Sequence, residues 1–124
     1  MTPRVLVVED DPDIALIARE LLAVSGLEAV SAYTVNEALE LLAASAFDLA
    51  VVDLQLPDRS GWELIENARA MRPGLPVVIY SVHADQPETV ARATEVGASV
   101  VSKSADPSAL VDMVTSLLAA GASA

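Results

Sequence analysis

Five polar side chains follow four apolar runs of the sequence, each at the point where a run ends. Glu9 and Asp10 follow the first run, Asp53 the second, Ser81 the third and Lys103, the only lysine of the chain, the fourth. The runs are residues 5–8, 49–52, 77–80 and 100–102. Three carboxylates, one hydroxyl and one ammonium are suited to holding a divalent cation together with a phosphoryl group.

The runs themselves predict how these side chains are brought together. Short apolar runs rich in β-branched residues are typical of strands that are buried on both faces of a parallel sheet. In such sheets the carboxyl ends of the strands form the ligand crevice. The sequence therefore predicts one edge of the sheet at which the five polar groups meet.

Helical patterns alternate with these runs and with a further run that begins near Leu27. The helix start signals are Asp11-Pro12, Thr34 with Glu37, Ser60, residues 85–88 and Asp106-Pro107. Five strand–helix units predict an α/β fold, a doubly wound (βα)5 flavodoxin-like parallel sheet with right-handed crossovers. The common strand order, 2-1-3-4-5, makes neighbours of the four strands that carry polar ends.

Composition limits the classes to which the protein can belong. With 124 residues, 53% of them hydrophobic, we expect a single domain over residues 1–124 with its core at about 4–118. The chain has no cysteine, which excludes disulfides and thiolate metal sites. A net charge of −11 argues against direct binding of nucleic acid, because phosphate contacts need clustered Lys and Arg. No signal peptide or membrane span is visible, so we expect a cytoplasmic protein without a membrane partner.

The three acidic residues are expected to form a cation site. Neighbouring strands lie roughly 4.8 Å apart, so Glu9, Asp10 and Asp53 would repel one another unless a cation lay between them. Mg²⁺ prefers one or two carboxylates together with water and phosphate oxygens. The alternative is that these acids only cap the following helices, but Asp11 or Asp13 can serve as that cap.

Lys103 and Ser81 complete the predicted site. We expect Lys103 to pair with Asp53 when the site is empty and with a phosphoryl oxygen when it is filled. Ser81 offers one hydroxyl donor at the end of its strand. An ordinary surface lysine and a strand-end serine without a role in binding are the alternatives for these two positions.

Taken together, these residues resemble the receiver domain of two-component response regulators, over residues from about Arg4 to Leu118. The matching stretches are Val-Val-Glu9-Asp10-Asp11, Val-Val-Asp53-Leu-Gln55-Leu-Pro57-Asp58-Arg-Ser-Gly61, Val-Ile-Tyr-Ser81 and Val-Val-Ser-Lys103. The resemblance implies a phosphorelay signalling domain that is switched by phosphorylation and then dephosphorylates itself. Such a domain catalyses both steps but is primarily a signalling switch rather than an enzyme for an external substrate.

The same resemblance assigns a role to each candidate residue. Asp53 would accept the phosphoryl group from a phosphohistidine of a sensor histidine kinase or phosphotransfer protein. Asp10, Asp53 and the backbone carbonyl of Gln55 would ligate Mg²⁺, and Glu9 would help through water. Ser81 and Lys103 would hold the phosphoryl oxygens. A downstream effector protein or output domain is the implied second partner, and pairing into a homodimer through the last two helices and last strand is common in the family.

The chain departs from the family pattern at three positions. Val100 stands where an aromatic residue usually lies three positions before the lysine, and Val82 where a small residue usually follows the serine. Ser104 replaces the proline that often follows the lysine in a cis peptide. We predict a trans Lys103–Ser104 bond, because a cis bond before a residue other than proline costs roughly 2.5–4 kcal/mol.

Three other classes of protein are alternatives to this interpretation. A haloacid-dehalogenase-like phosphatase also uses a strand-end Asp with Mg²⁺, but it needs a second Asp where this chain has Gln55. A flavin or dinucleotide binder would cradle phosphate after the first strand, where this chain has Glu-Asp-Asp-Pro. A receiver-shaped interaction module that is never phosphorylated is the third alternative, and labelling with a small phosphodonor separates it from a working receiver.

Overall fold

Every run predicted to be a strand forms one in the structure, a computed structural model that describes residues 2–123. The strands are β1 (Arg4–Val8), β2 (Glu28–Ala32), β3 (Leu49–Val52), β4 (Val77–Ser81) and β5 (Ser99–Ser102). The helices are α1 (Pro12–Val24), α2 (Val35–Ala44), α3 (Gly61–Met71), α4 (Pro87–Val96) and α5 (Ser108–Ser123). The predicted (βα)5 alternation is therefore confirmed.

The five strands form one parallel sheet in the order β2-β1-β3-β4-β5. This is the predicted order, and it places the four strands with polar ends side by side. The register places Val8 and Val52, the last residues of β1 and β3, opposite each other, whereas Val52 lies opposite Ile79, two residues before the end of β4. The carboxyl ends of β1 and β3 are thus level, and those of β4 and β5 are paired through Ser81 and Ser102.

The sheet is covered by helices on both faces, which explains the continuous apolar runs in its three central strands, β1, β3 and β4. In β1, Leu6 and Val8 join the core under α2, α3 and α4, whereas Val5 and Val7 join the core under α1 and α5. All four side chains are at most 2% exposed. Because successive strand residues point to opposite faces, a strand covered on both sides needs apolar residues throughout.

Side chains in the connecting turns start the first three helices. Asp11 accepts hydrogen bonds from the backbone amides of Asp13 and Ile14 at the start of α1. Thr34 and Ser60 cap α2 and α3 in the same way. Since Asp11 caps α1, the alternative that Glu9 and Asp10 serve only as caps of that helix is not needed to explain its start.

Two arginines at the carboxyl end of α3, one in its last turn and one directly after it, hold the neighbouring helices at the opposite end of the sheet. The guanidinium of Arg69 donates to the carbonyl oxygens of Val96, at 2.7 Å, and Gly97, at 3.0 Å. Arg72 donates to the carbonyl oxygen of Leu42 at 3.0 Å. The carboxyl termini of α4 and α2 are therefore both tied to α3.

Within the described residues, the helices are too short or too polar to cross a membrane.

Candidate functional site

The acidic residues meet where β1 and β3 end. The backbone amide of Asp53 donates to the carbonyl oxygen of Val8 at 3.0 Å, which continues the strand pairing one residue beyond both strands. Glu9, Asp10 and Asp53 can each offer an oxygen atom, and these atoms all lie within 4.8 Å of one another. The structure thus brings together the three carboxylates that were expected to meet because they follow neighbouring strands.

The three carboxylates differ in their exposure to solvent. Glu9 is 3% exposed and Asp53 is 8% exposed, whereas Asp10 lies at the surface. Burial raises the pKa of Glu9 to about 7, against the opposing effects of Lys103 and the Asp11 amide. The buried part of this site is therefore a poor environment for two carboxylate charges.

Lys103 lies between the two buried carboxylates. Its ammonium nitrogen, Nζ, is 2.5 Å from Glu9 Oε1 and 3.1 Å from Asp53 Oδ2, and its side chain is 11% exposed. Burial alone would lower the pKa of Lys103, but the hydrogen bonds and charges of Glu9 and Asp53 raise it above its ordinary value. The sequence predicted Asp53 alone as the partner of Lys103, so the contact with Glu9 is new.

The carboxylate set fits a hard divalent cation. The buried oxygen Glu9 Oε1 forms an ion pair with Lys103 Nζ. Three carboxylates around a single ammonium leave the cluster with excess negative charge. Three carboxylates whose oxygen atoms lie within 4.8 Å of one another are the hard donors that Mg²⁺ takes.

Ser81 is the last residue of β4 and is 1% exposed. Its hydroxyl oxygen accepts a hydrogen bond from the backbone amide of His83 at 3.0 Å, and its carbonyl oxygen accepts one from the backbone amide of Lys103 at 3.1 Å. The first contact uses Ser81 Oγ as an acceptor, so its hydrogen remains available for donation. Ser81 and Lys103 are thus held at the ends of paired strands.

The β3–α3 loop, residues 53–60, folds back over the site. The Gln55 amide donates to Asp53 Oδ1 at 3.3 Å, and Gln55 and Ser60 form an isolated antiparallel bridge. The amide of Gly61 donates to the carbonyl oxygen of Leu54 at 2.9 Å, which closes the loop at its base. This loop carries the Gln55 carbonyl that the family resemblance assigned to the metal.

Gly61 packs against the backbone of Asp53, a contact that was not predicted from the sequence. A Cβ atom at Gly61 would lie 2.2 Å from the Asp53 carbonyl oxygen and 2.8 Å from the Leu54 Cα. A glycine just after a Ser helix cap, where a better helix former would be expected, is a signal of such a close approach.

The three departures from the family pattern have separate structural outcomes. Val82 is 60% exposed, so its side chain lies largely in solvent. Val100 is partly buried against the core under α2, α3 and α4. The peptide bonds of the described residues are all trans, which confirms the prediction for Lys103–Ser104.

A family model for the response regulator receiver domain matches residues 5–115. The response regulator protein PilR of Pseudomonas aeruginosa is 34% identical over 116 residues, which cover 93% of this chain and 26% of PilR. The chain thus spans about a quarter of the length of the curated relatives it matches.

Solved structures agree over nearly the whole chain. A receiver domain protein described as CheY-like, from Methanospirillum hungatei, superposes with a TM-score of 0.88 at 30% identity, covering 95% of this chain and 94% of its own. The receiver domain of the Francisella response regulator 1452 gives a TM-score of 0.89 at 26% identity, covering 97% of this chain and 99% of its own.

Proposed function

This chain belongs to the response regulator receiver domain family, and we propose that it is a phosphoryl-accepting switch whose acceptor is Asp53. The observation that carries the proposal is the position of Asp53, buried beside Glu9 and Asp10 and in contact with the only lysine of the chain. A lone carboxylate at the end of a central strand, with an ammonium and further acids around it, is suited to phosphoryl chemistry.

In the proposed transfer, an oxygen of Asp53 attacks the phosphorus of a phosphohistidine on a sensor kinase or phosphotransfer protein. The phosphorus–nitrogen bond breaks, an acyl phosphate forms on Asp53, and the histidine nitrogen takes up a proton. Asp10, Asp53 and the Gln55 carbonyl would hold Mg²⁺, with Glu9 helping through water, and the ion would supply positive charge for the phosphoryl oxygens.

The remaining groups would stabilise the phosphorylated form. Lys103 exchanges one of its carboxylate contacts for a phosphoryl oxygen, and the Ser81 hydroxyl donates to another. Hydrolysis reverses the modification when water attacks the same phosphorus, which releases inorganic phosphate and restores the Asp53 carboxylate. The phosphorylated form then acts on a downstream effector protein or output domain, in a cytoplasmic signalling pathway.

The proposal is tested by incubating the protein with acetyl phosphate, with and without Mg²⁺. We expect one phosphoryl group per chain, only when Mg²⁺ is present, and mass spectrometry to place it on Asp53. The alternative of an interaction module that is never phosphorylated predicts no labelling under either condition.

We predict that Mg²⁺ stabilises the fold and that Asp10 is needed for this effect. A ligand that binds only the native state adds RT ln(1 + [L]/Kd), or about 1–2 kcal/mol at millimolar Mg²⁺ for submillimolar affinity. Thermal melts of the wild type should therefore shift upward with added Mg²⁺. Asp10→Asn should melt at the same temperature with and without Mg²⁺, and above the metal-free wild type, because one repelling charge has been removed.

The exposed Asp112 on α5 provides a matched control for this measurement. Asp112→Asn also removes one acidic charge, but it should keep the full response to Mg²⁺. An Asp10→Asn protein that gains as much stability from Mg²⁺ as the wild type would contradict the proposed metal site.

We predict that the conformational response to phosphorylation falls mainly on residues 82–87 and the first turn of α4. Ser81 is linked to this segment through the His83 amide, whereas Arg69 ties the other end of α4 to α3. Val100 has no ring to move between buried and exposed positions, and its β-branched side chain is stiff about χ1. Only contacts that differ between the two states shift the equilibrium, and these arise at Ser81 and Lys103.

Amide exchange or chemical-shift mapping with beryllofluoride and Mg²⁺ measures this response. The largest changes should lie in residues 82–87, with a small change at Val100, and Asp53→Asn should show neither. Changes centred on Val100 and β5, with the loop after Ser81 unaffected, would show that the signal leaves the site by another route.

A further inference from the structure

One side chain ties the tip of the β3–α3 loop to a helix that precedes it in the chain. Asp58 Oδ1 accepts the amide of Val35 at 2.9 Å, and Asp58 Oδ2 accepts the amide of Asn36 at 3.0 Å. Both amides belong to the first turn of α2, where backbone donors lack partners within the helix. Each oxygen of the Asp58 carboxylate thus has its own backbone donor, and the two donors precede Asp58 by 23 and 22 residues in the sequence.

The α2 helix also has a cap of its own, which satisfies other amides than the two that Asp58 accepts. Thr34 Oγ1 accepts the amide of Glu37 at 3.0 Å, and Glu37 Oε1 accepts the amide of Tyr33 at 2.7 Å. These two bonds form a capping box. What Asp58 adds is a fixed distance between α2 and the loop tip.

The base of the same loop lies at the candidate site. Gln55, whose amide donates to Asp53 Oδ1, also bridges to Ser60, and Asp58 lies between these two bridged residues. The neighbouring Arg59 adds one longer contact, at 3.3 Å, from its guanidinium to the side-chain oxygen of Asn36. The loop is therefore held at its base by the bridge and at its tip mainly by Asp58.

The tie is made by an ionised carboxylate. Desolvation would raise the pKa of Asp58, but hydrogen bonds from four backbone amides, those of Val35, Asn36, Asp58 and Arg59, together lower that pKa below its ordinary value. Hydrogen bonds to a carboxylate at a helix N-terminus are strengthened by its charge and by the helix dipole.

We propose that Asp58 is a positioning residue for the phosphoryl-accepting site, which fixes the loop that carries Gln55 and with it the backbone carbonyl that would ligate the metal together with Asp10 and Asp53. This inference rests on the proposed function, since it concerns the metal that the site would bind. Asp58 acts through the loop and contacts neither the acceptor nor the metal. Residues that orient metal ligands in this way change metal affinity by about 10–100-fold when they are removed.

The test compares Asp58→Ala with Thr34→Ala, because each variant lacks a side chain that accepts hydrogen bonds from backbone amides in the first turn of α2. Both variants should lose about 3–6 °C of melting temperature without metal, as expected for a lost helix cap. Only Asp58→Ala should weaken binding of Mg²⁺ alone, by about tenfold, in a calorimetric or NMR titration. It should also speed amide exchange at Gln55 and Ser60 in the metal-free protein.

Two further variants separate the effect of the hydrogen bonds of Asp58 from the effect of its negative charge. Asp58→Asn removes the charge but keeps one oxygen acceptor, so it should bind Mg²⁺ more tightly than Asp58→Ala does. Glu66→Gln removes one exposed acidic charge from α3 without removing a contact of the loop or of α2, and should bind Mg²⁺ within about twofold of the wild type.

The outcomes distinguish this inference from the proposed function. A wild type that binds no Mg²⁺ would refute the proposed metal site. A wild type that binds Mg²⁺, with an Asp58→Ala variant of equal affinity, would refute only the role of Asp58. Equal losses of affinity in Thr34→Ala and Asp58→Ala would also overturn it, because the effect would then follow the stability of α2.

Discussion

Replacing Asp53 with asparagine is expected to reduce Mg²⁺-dependent labelling by acetyl phosphate to background, a loss of at least about 100-fold. The substituted amide cannot supply the anionic oxygen that attacks phosphorus, and no stable acyl phosphate can form there. Asp53 directly follows β3, the central strand of the sheet, and its carboxylate lies 3.1 Å from Lys103 Nζ. The measurement is intact-protein mass spectrometry with mapping of the modified residue.

Two controls make the loss of labelling interpretable. Asp112→Asn changes an exposed acid on α5 in the same chemical way and should label like the wild type. A thermal melt should show that Asp53→Asn is folded, since Lys103 keeps Glu9 as a partner. Labelling that survives in Asp53→Asn, or that proceeds in the wild type without a divalent ion, would refute the assignment of the acceptor.

The Gly61→Ala variant is expected to lose about 3 kcal/mol of unfolding free energy, although alanine is the better helix former. The added Cβ would lie 2.2 Å from the carbonyl oxygen of Asp53 and 2.8 Å from the Cα of Leu54. Both contacts are to backbone atoms, so no side chain can rotate away to relieve them. Because the backbone of Asp53 itself must shift, we also expect weaker labelling by acetyl phosphate.

Gly74→Ala is the matched control, because a Cβ at that position would have nothing within 4 Å. It should be neutral or stabilising by up to about 1 kcal/mol, since alanine restricts the unfolded chain more than glycine does. Chemical denaturation of the two variants, at constant m-value, gives the comparison directly. If Gly61→Ala were as stable as Gly74→Ala, the close approach of α3 to Asp53 could not be as the structure describes.

The strand order and the grouping of the polar side chains were predictable because they depend on short-range patterns. A strand covered on both faces is apolar at every position, so Val5 to Val8 could be recognised without knowing what packs on it. Connections in an alternating fold are right-handed and few orders are common, so the ends of β1, β3, β4 and β5 had to meet at one edge. Glu9, Asp10 and Asp53 came together for that reason alone.

Other features depended on the paths of the loops, which no periodic pattern in the sequence encodes. Val82 could have been placed in the crevice or outside it, and the structure leaves it 60% exposed. Lys103 was expected to pair with Asp53, but the turn after β5 also brings it to Glu9. A turn of a few residues can take several courses at similar cost, and packing of the surrounding chain selects one of them.

The sequence by itself therefore determined the fold class, the strand order and the set of residues at the carboxyl edge of the sheet. The tertiary structure alone decided how these residues are supported: the tie from Asp58 to α2, the approach of Gly61 to Asp53 and the contact of Lys103 with Glu9 in addition to Asp53. The physical reason is the range of the interactions. Burial and backbone pairing repeat at every turn or pleat and leave a period in the sequence, whereas a contact between two particular side chains across the fold leaves none.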